Sequence, residues 1–191
     1  MIAPSTKFQT VPKILRFWSN SKADAFISAF NLLASSLRET GKIPREVYES
    51  LARFFPQACV ELAVLRQSED ELEIFLSARP DDDPYWPGQL HMPGTTLYAL
   101  DSEETMWSRL MHNELRELNG RRPTLAFNHV TTYDDRERGA CMHAVYLTVV
   151  EAGTEISSGQ FYPLRDIPRE TINHHYAMLE KLLKHHFEHP V

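Results

Sequence analysis

The sequence predicts a mixed α/β domain whose sheet is covered by helices on both faces. Two observations carry that prediction. Apolar residues recur at helical spacing around residues 21–40, around 101–120 and toward the C-terminus. Between them, runs such as CVELAVLR (59–66), ELEIFLSA (71–78) and ACMHAVYLTVV (140–150) are rich in β-branched and aromatic residues and read as strands. The resulting order is helix, hairpin, short strand, loop, helix, two long strands, short strand, helix. Such an order buries its apolar faces by layering helices on both sides of one sheet.

In chain order, Phe26, Phe30, Leu33 and Leu37 recur at i, i+4, i+7 and i+11, and Gly41 stops a helix over 21–40. Each of these side chains contributes about 1.5–3 kcal/mol on full burial, so the stripe is expected to pack on the domain's own core. A second helix is expected over 44–55, with Pro44 in its first turn and Pro56 closing it. The hairpin 59–66/71–78 turns through 67–70, and a short strand is expected at 89–92. Three consecutive aspartates, Asp81 to Asp83, lie in a proline-flanked loop and read as solvated. Strands follow at 124–132, 140–150 and 160–164, then the last helix. Its end carries His185, His186 and His189, which suit a helix C-terminus as cations.

The totals bound the function classes. The chain has 191 residues, 42% hydrophobic and 24% charged, and suits one domain with an appendage. A net charge of -6 argues against a general binder of nucleic acid or of anionic membranes. Cys59 and Cys141 lie in apolar runs and read as buried thiols. There is no membrane-length apolar run and no signal-peptide pattern, so the expected location is cytoplasmic.

Residues 91–120, HMPGTTLYALDSEETMWSRLMHNELRELNG, organise the rest. Asp101 is the expected N-cap, Glu104 completes a capping box, and Gly120 is the expected stop. Trp107, Met111, Leu115 and Leu118 share one face, with Met106 and Leu110 beside it. On the wheel Glu114 falls between Leu110 and Trp107, inside the apolar arc. A carboxylate there needs a metal, a buried cation or a raised pKa, or else its head reaches out to solvent while its stem packs.

This stretch resembles the Nudix box, G-x5-E-x7-R-E-U-x-E-E-x-G. With Arg109 on the Arg, Thr95 falls at the first Gly, Asp101 at the first Glu and Glu114 at the last Glu. Gly94 then matches the opening Pro-Gly-Gly. Thr95, Asp101, Leu110, Asn113 and Arg116 depart from the pattern, so the box is degenerate. A rival register, with Asn113 on the Arg, matches Glu117 and Gly120 but detaches Pro93-Gly94. The preferred register also looks like the GDP-mannose mannosyl hydrolase branch, which keeps R-L-x-x-x-E-L. Outside the box, F-Y-P-L-R-D-I-P (161–168) is similar to the family's W-x-x-L-D-E-L-P.

The resemblance implies a Nudix-type α/β/α sandwich over residues 43–191, with residues 1–42 as an N-terminal helical extension. It implies a Mg²⁺-dependent hydrolase, with Mn²⁺ as a substitute, acting on a nucleoside-diphosphate derivative such as an NDP-sugar. Glu114 and the Gly94 carbonyl are then the metal ligands, and Glu155 on a late loop is a further ligand or base. Arg109 assists by orienting groups or stabilising charge. Arg79 offers a donor fork for a substrate phosphate, or an ion pair with the aspartate run. Glu61 matches an acidic position near the nucleotide; an outward-facing strand residue is the alternative. His143 has a counterpart in the same branch, with a satisfied core histidine as the alternative. The expected partners are a nucleoside-diphosphate-linked small molecule and a second copy in a homodimer, without nucleic acid or membrane. The eroded box equally suits a catalytically silent binding or regulatory module.

Overall fold

The computed structural model describes residues 20–40, 44–52, 55–68, 71–120, 123–132 and 140–188. The chain divides into two compact units, Met1–Tyr48 and Glu49–Val191. In the first, helix α1 spans Asn20–Thr40, where the apolar recurrence places it. Phe26 and Phe30, one turn apart, meet with ring centroids 4.6 Å apart, and both are exposed, as are Ile27 and Leu32. Helix α2, Arg45–Ala52, starts on Pro44, whose carbonyl accepts the N–H groups of Val47 and Tyr48.

The second unit is built on a seven-stranded mixed sheet. Its strands are β1 (Gln57–Gln67), β2 (Leu72–Ala78), β3 (Leu90–His91), β4 (Gly94–Thr96), β5 (Thr124–Thr132), β6 (Ala140–Val150) and β7 (Gln160–Pro163). The order is β3-β2-β1-β6-β5, with β4 on β1 and β7 on β2. The central strand β1 runs parallel to β6 and antiparallel to β2 and β4. It is buried without a break from Val60 to Leu65, as a strand covered on both faces must be. Alternate residues feed two cores. Ala63 and Leu65 join Ile74, Leu76, Val145, Met178, Leu179 and Leu182 beneath α4 (Asn173–Glu188). Leu62 and Val64 join Phe75, Leu110, Met111, Leu115 and Leu118 beneath α3 (Glu103–Glu114).

The strands at 124–132 and 140–150 stand at their predicted bounds. The strand β4 has no sequence-based counterpart, because three residues without alternation carry no period. The turn at 133–139, His189 and the side chains of His185 and His186 lie outside the described residues. No helix among the described residues is long and apolar enough to cross a membrane.

Helix α3 corrects two expectations. Its N-cap is Ser102, not Asp101: the Ser102 hydroxyl accepts from Thr105 N–H, and the Thr105 hydroxyl accepts from Ser102 N–H. Asp101 is drawn off by a stronger, charged partner, described below. The helix also ends at Glu114 rather than near Gly120, and a 3-10 turn follows at Arg116–Leu118. The loop before β7 causes this ending, since Ser158 Oγ donates to the Glu114 carbonyl and Ser157 holds the Glu117 carboxylate. These side chains satisfy orphan groups that a longer helix would have satisfied internally.

Ser102→Ala is expected to lower stability by about 1 kcal/mol in urea unfolding. Glu104→Ala is expected to stay within about 0.5 kcal/mol of the parent. A larger loss at Glu104 would restore the cap to Asp101.

Candidate functional site

The site grows from a split in the sheet. Along one edge β1 pairs with β2 through Leu65–Gln67 and with β4 through Cys59–Glu61, so β2 and β4 part between them. Pro93 supplies the hinge: its carbonyl accepts from Leu62 N–H, and the next pair, Glu61 with Gly94, is a non-hydrogen-bonded one. In such a pair the side chains approach closely and the backbone N–H and C=O turn away from the partner strand. Gly94 therefore directs both backbone groups out of the ladder. Its lack of a side chain is required, because a Cβ there would overlap the Glu61 carboxylate.

Glu114, the last residue of α3, reaches this point. The Gly94 N–H acts on its carboxylate, whose Oε2 is buried with no partner among the described residues. Burial first, and then the negative Glu61, push its pKa up to about 7; the Gly94 N–H and Arg79 oppose the shift. Glu114 is half-buried, with Oε2 turned into the interior as its place in the apolar arc of the wheel predicts. Glu61, only 6% exposed, is not the outward-facing strand residue of the alternative reading. Its Oε1 lies 3.1 Å from His143 Nδ1, across the parallel β1–β6 register. Burial depresses the His143 pKa, but contacts with Cys141 and Glu61 outweigh it and raise it to about 9. The second nitrogen of His143, Nε2, is buried and unpartnered among the described residues.

Arg79 follows β2 and forms an ion pair with Asp83 through Nε at 3.0 Å and Nη2 at 2.5 Å. Asp83 also accepts from the N–H groups of Tyr85 and Trp86, folding the loop into a cap on the guanidinium. Asp81 and Asp82 stay exposed. The ion pair of the alternative reading is present, and the Arg79 guanidinium also weakly opposes the rise of the Glu114 pKa.

Arg109 bonds to the residues that follow Gly94. Its Nη1 and Nη2 grip the two oxygens of Asp101, each at 2.7 Å. Nη2 also donates to the Thr96 carbonyl, Nε donates to Thr95 Oγ1, and the guanidinium lies over the Tyr98 ring. Those bonds commit its donor fork to the segment joining β4 to α3. Arg109 thereby ties β4 to the helix bearing Glu114. Glu155 is exposed and lines a recess with Arg66, Glu117 and Gln160, with no contact to Glu61 or Glu114 among the described residues.

Sequence reasoning missed the histidines behind Gly94. His91 Nδ1 bonds the Met92 carbonyl at 2.7 Å, and Nε2 lies 3.2 Å from Ser77 Oγ. His175 Nδ1 accepts from Met92 N–H. Burial lowers His91 to about 4 and holds His175 well below the ordinary imidazole value, so both are neutral at neutral pH and serve as clamps on the segment leading to Gly94. It also missed that Cys59 and Cys141 meet, with sulfurs 2.9 Å apart.

No family model and no curated protein matches the sequence. Solved structures do match. The Nudix domain of Shewanella oneidensis NrtR, complexed with ADP ribose, is similar over 74% of this chain and 98% of that one, at 15% identity and a TM-score of 0.54. A mutT/nudix family protein from Listeria innocua is similar over 70% and 96%, at 18% identity and a TM-score of 0.53. The Ap4A hydrolase of C. elegans is similar over 70% and 98%, at 13% identity and a TM-score of 0.51. The chain has the Nudix fold; at such identities the likeness concerns the fold alone.

One expectation is corrected. Shewanella oneidensis NrtR is also similar to this chain as a complex with a 27mer DNA, at 17% identity and a TM-score of 0.50, over 66% of this chain and 60% of that one. The exclusion of nucleic acid drawn from a net charge of -6 does not stand beside that DNA complex, because an average charge does not describe local surfaces.

Two outcomes are expected of the metal-free protein. With Glu114 raised from 4.5 to about 7, its contribution to stability is fully present below pH 4.5 and is lost as pH rises through 7, by about 3 kcal/mol. Urea unfolding of Glu114→Gln should therefore gain on the parent between pH 5 and 8, and parallel pH profiles would refute the buried charge. Arg109→Ala and Asp101→Asn should each cost about 1.5–3 kcal/mol, and the double variant less than their sum. Full additivity would mean that the clamp is not formed.

Proposed function

We propose that the chain is a divalent-cation-dependent hydrolase of a nucleoside-diphosphate derivative, with Mg²⁺ as its cation and an NDP-sugar of the GDP-mannose kind as its substrate. The observation that carries this reading is the unpartnered buried oxygen of Glu114, set at Gly94 beside a second carboxylate, Glu61. The donor set fits a hard cation: carboxylate oxygen from Glu114 and the Gly94 carbonyl turned out of the ladder, with Glu61 adjoining. A bound Mg²⁺ supplies neutralisation of the diphosphate and stabilisation of the leaving oxygen.

The chain's own residues supply the rest. Arg79 offers positive charge to a diphosphate when its fork opens from Asp83. Arg109 and Asp101 keep the Gly94 backbone aligned with Glu114. His143 holds Glu61 in orientation through Nδ1. A box with a single helix carboxylate supports one cation, which agrees with the mannosyl hydrolase branch and its release of nucleoside diphosphate and sugar.

The fate of the other box positions favours a second reading. Leu110 is buried in the core and Asn113 is exposed, so neither supplements Glu114. A binding module that takes a nucleotide-sugar without turnover agrees with that.

Turnover of an NDP-sugar panel with Mg²⁺ tests both. The hydrolase reading expects nucleoside diphosphate and free sugar as products, with Glu114→Gln slower on the order of 100-fold or more. Absence of turnover on every substrate sinks it. Calorimetric binding that persists in EDTA and in Glu114→Gln would then establish the module.

A further inference from the structure

Behind Glu61, away from the oxygen donors at Gly94, lies a group with different chemistry. Cys59 on β1 and Cys141 and His143 on β6 offer ligand atoms that all lie within 4.8 Å of one another. Cys59 is directly opposite His143 in the parallel register, and Cys141 precedes His143 by two residues, so the strand period turns all three to one face. Cys141 and His143 are each 3% exposed, and Cys59 is half-buried, which leaves one side open for entry. Neither cysteine is in a disulfide.

We propose that Cys59, Cys141 and His143 form a metal site for a borderline-soft transition cation of the Zn²⁺ kind, separate from the Mg²⁺-type site at Gly94. Two thiolates and an imidazole select such a cation and disfavour Mg²⁺, which takes oxygen ligands. The sulfur spacing alone does not choose between a metal and a disulfide. Zn–S bonds of about 2.3 Å in a tetrahedral site put two sulfurs about 3.8 Å apart. A disulfide puts them about 2.0 Å apart. At 2.9 Å the pair stands midway between the two.

His143 decides the matter. Its Nδ1 is engaged by the Glu61 carboxylate at 3.1 Å, while Nε2 is buried without a partner among the described residues. A histidine that ligates a metal through one nitrogen commonly gives its other N–H to a carboxylate, which fixes ring and tautomer. A disulfide would leave Nε2 orphaned; a cation satisfies it. Three protein ligands leave a fourth position for water or another small donor.

The full chain, reduced and freed of metal, is titrated with Zn²⁺, and separately with Co²⁺ as an optical probe. The expected result is uptake of one Zn²⁺ per chain, proton release as the thiols ionise, and thiolate-to-cobalt charge-transfer absorption. Cys59→Ser and Cys141→Ser should abolish that absorption, while Glu114→Gln, which disables the hydrolase reading, should keep it. If the serine variants fail to fold, the parent protein still decides: no charge-transfer band in the reduced chain overturns the site. Zn²⁺ uptake without thiolate absorption, or uptake lost with Glu114→Gln, overturns it equally.

Discussion

The site depends on how closely β4 approaches β1 at Gly94. The Glu61 carboxylate occupies the space that any Cβ at residue 94 would need. The alternation of the ladder frees both Gly94 backbone groups from β1, and the N–H acts on the Glu114 carboxylate. A carboxylate from the strand and one from the helix thereby converge on one glycine. No local feature of either residue would bring them together. The convergence is produced by the split between β2 and β4, and Pro93, which lacks an N–H of its own, sits where that split opens.

Around that contact the chain spends buried polar groups on alignment. His91 and His175 are held neutral by burial and grip both the N–H and the C=O of Met92. Arg109 grips Asp101, Thr95 and Thr96 on the other side of Gly94. Buried polar groups of this kind are costly unless satisfied, and satisfied ones restrict the backbone to one arrangement. Gly94 is thus fixed from both directions along the chain, and the helix carrying Glu114 is tied to the same segment.

Much of this was legible in the sequence. The long strands and α1 announced themselves through period and composition. Glu114 was conspicuous as a charge in an apolar arc, and Arg109 and Asp101 stood in register with it. What the sequence hid was competition between partners. Asp101 and Ser102 are both good caps, and only the presence of Arg109 in space assigns the cap to Ser102. Gly120 is a good stop, but Ser157 and Ser158, far along the chain, end the helix six residues sooner. Glu155 is exposed in a recess shared with Arg66 and Glu117. The cysteine–histidine group had a faint signature, C-x-E at 59–61 and C-x-H at 141–143, in which period two places each pair on one face. Joining the two pairs requires the parallel β1–β6 register, a long-range fact.

The electrostatics follow from the same packing. His143 carries a pKa near 9 beside Glu61, so this pair is self-compensating at neutral pH. Arg79 is balanced by Asp83. Glu114 is then the carboxylate left over, raised to about 7 by its burial and by Glu61 against the Gly94 N–H and Arg79. A buried group in that condition either binds a proton or a cation, and which it binds depends on pH. Near neutrality the protonated and ionised forms of Glu114 are close in free energy. Its unpartnered oxygen is therefore the point at which the protein's interior responds to what the solvent supplies.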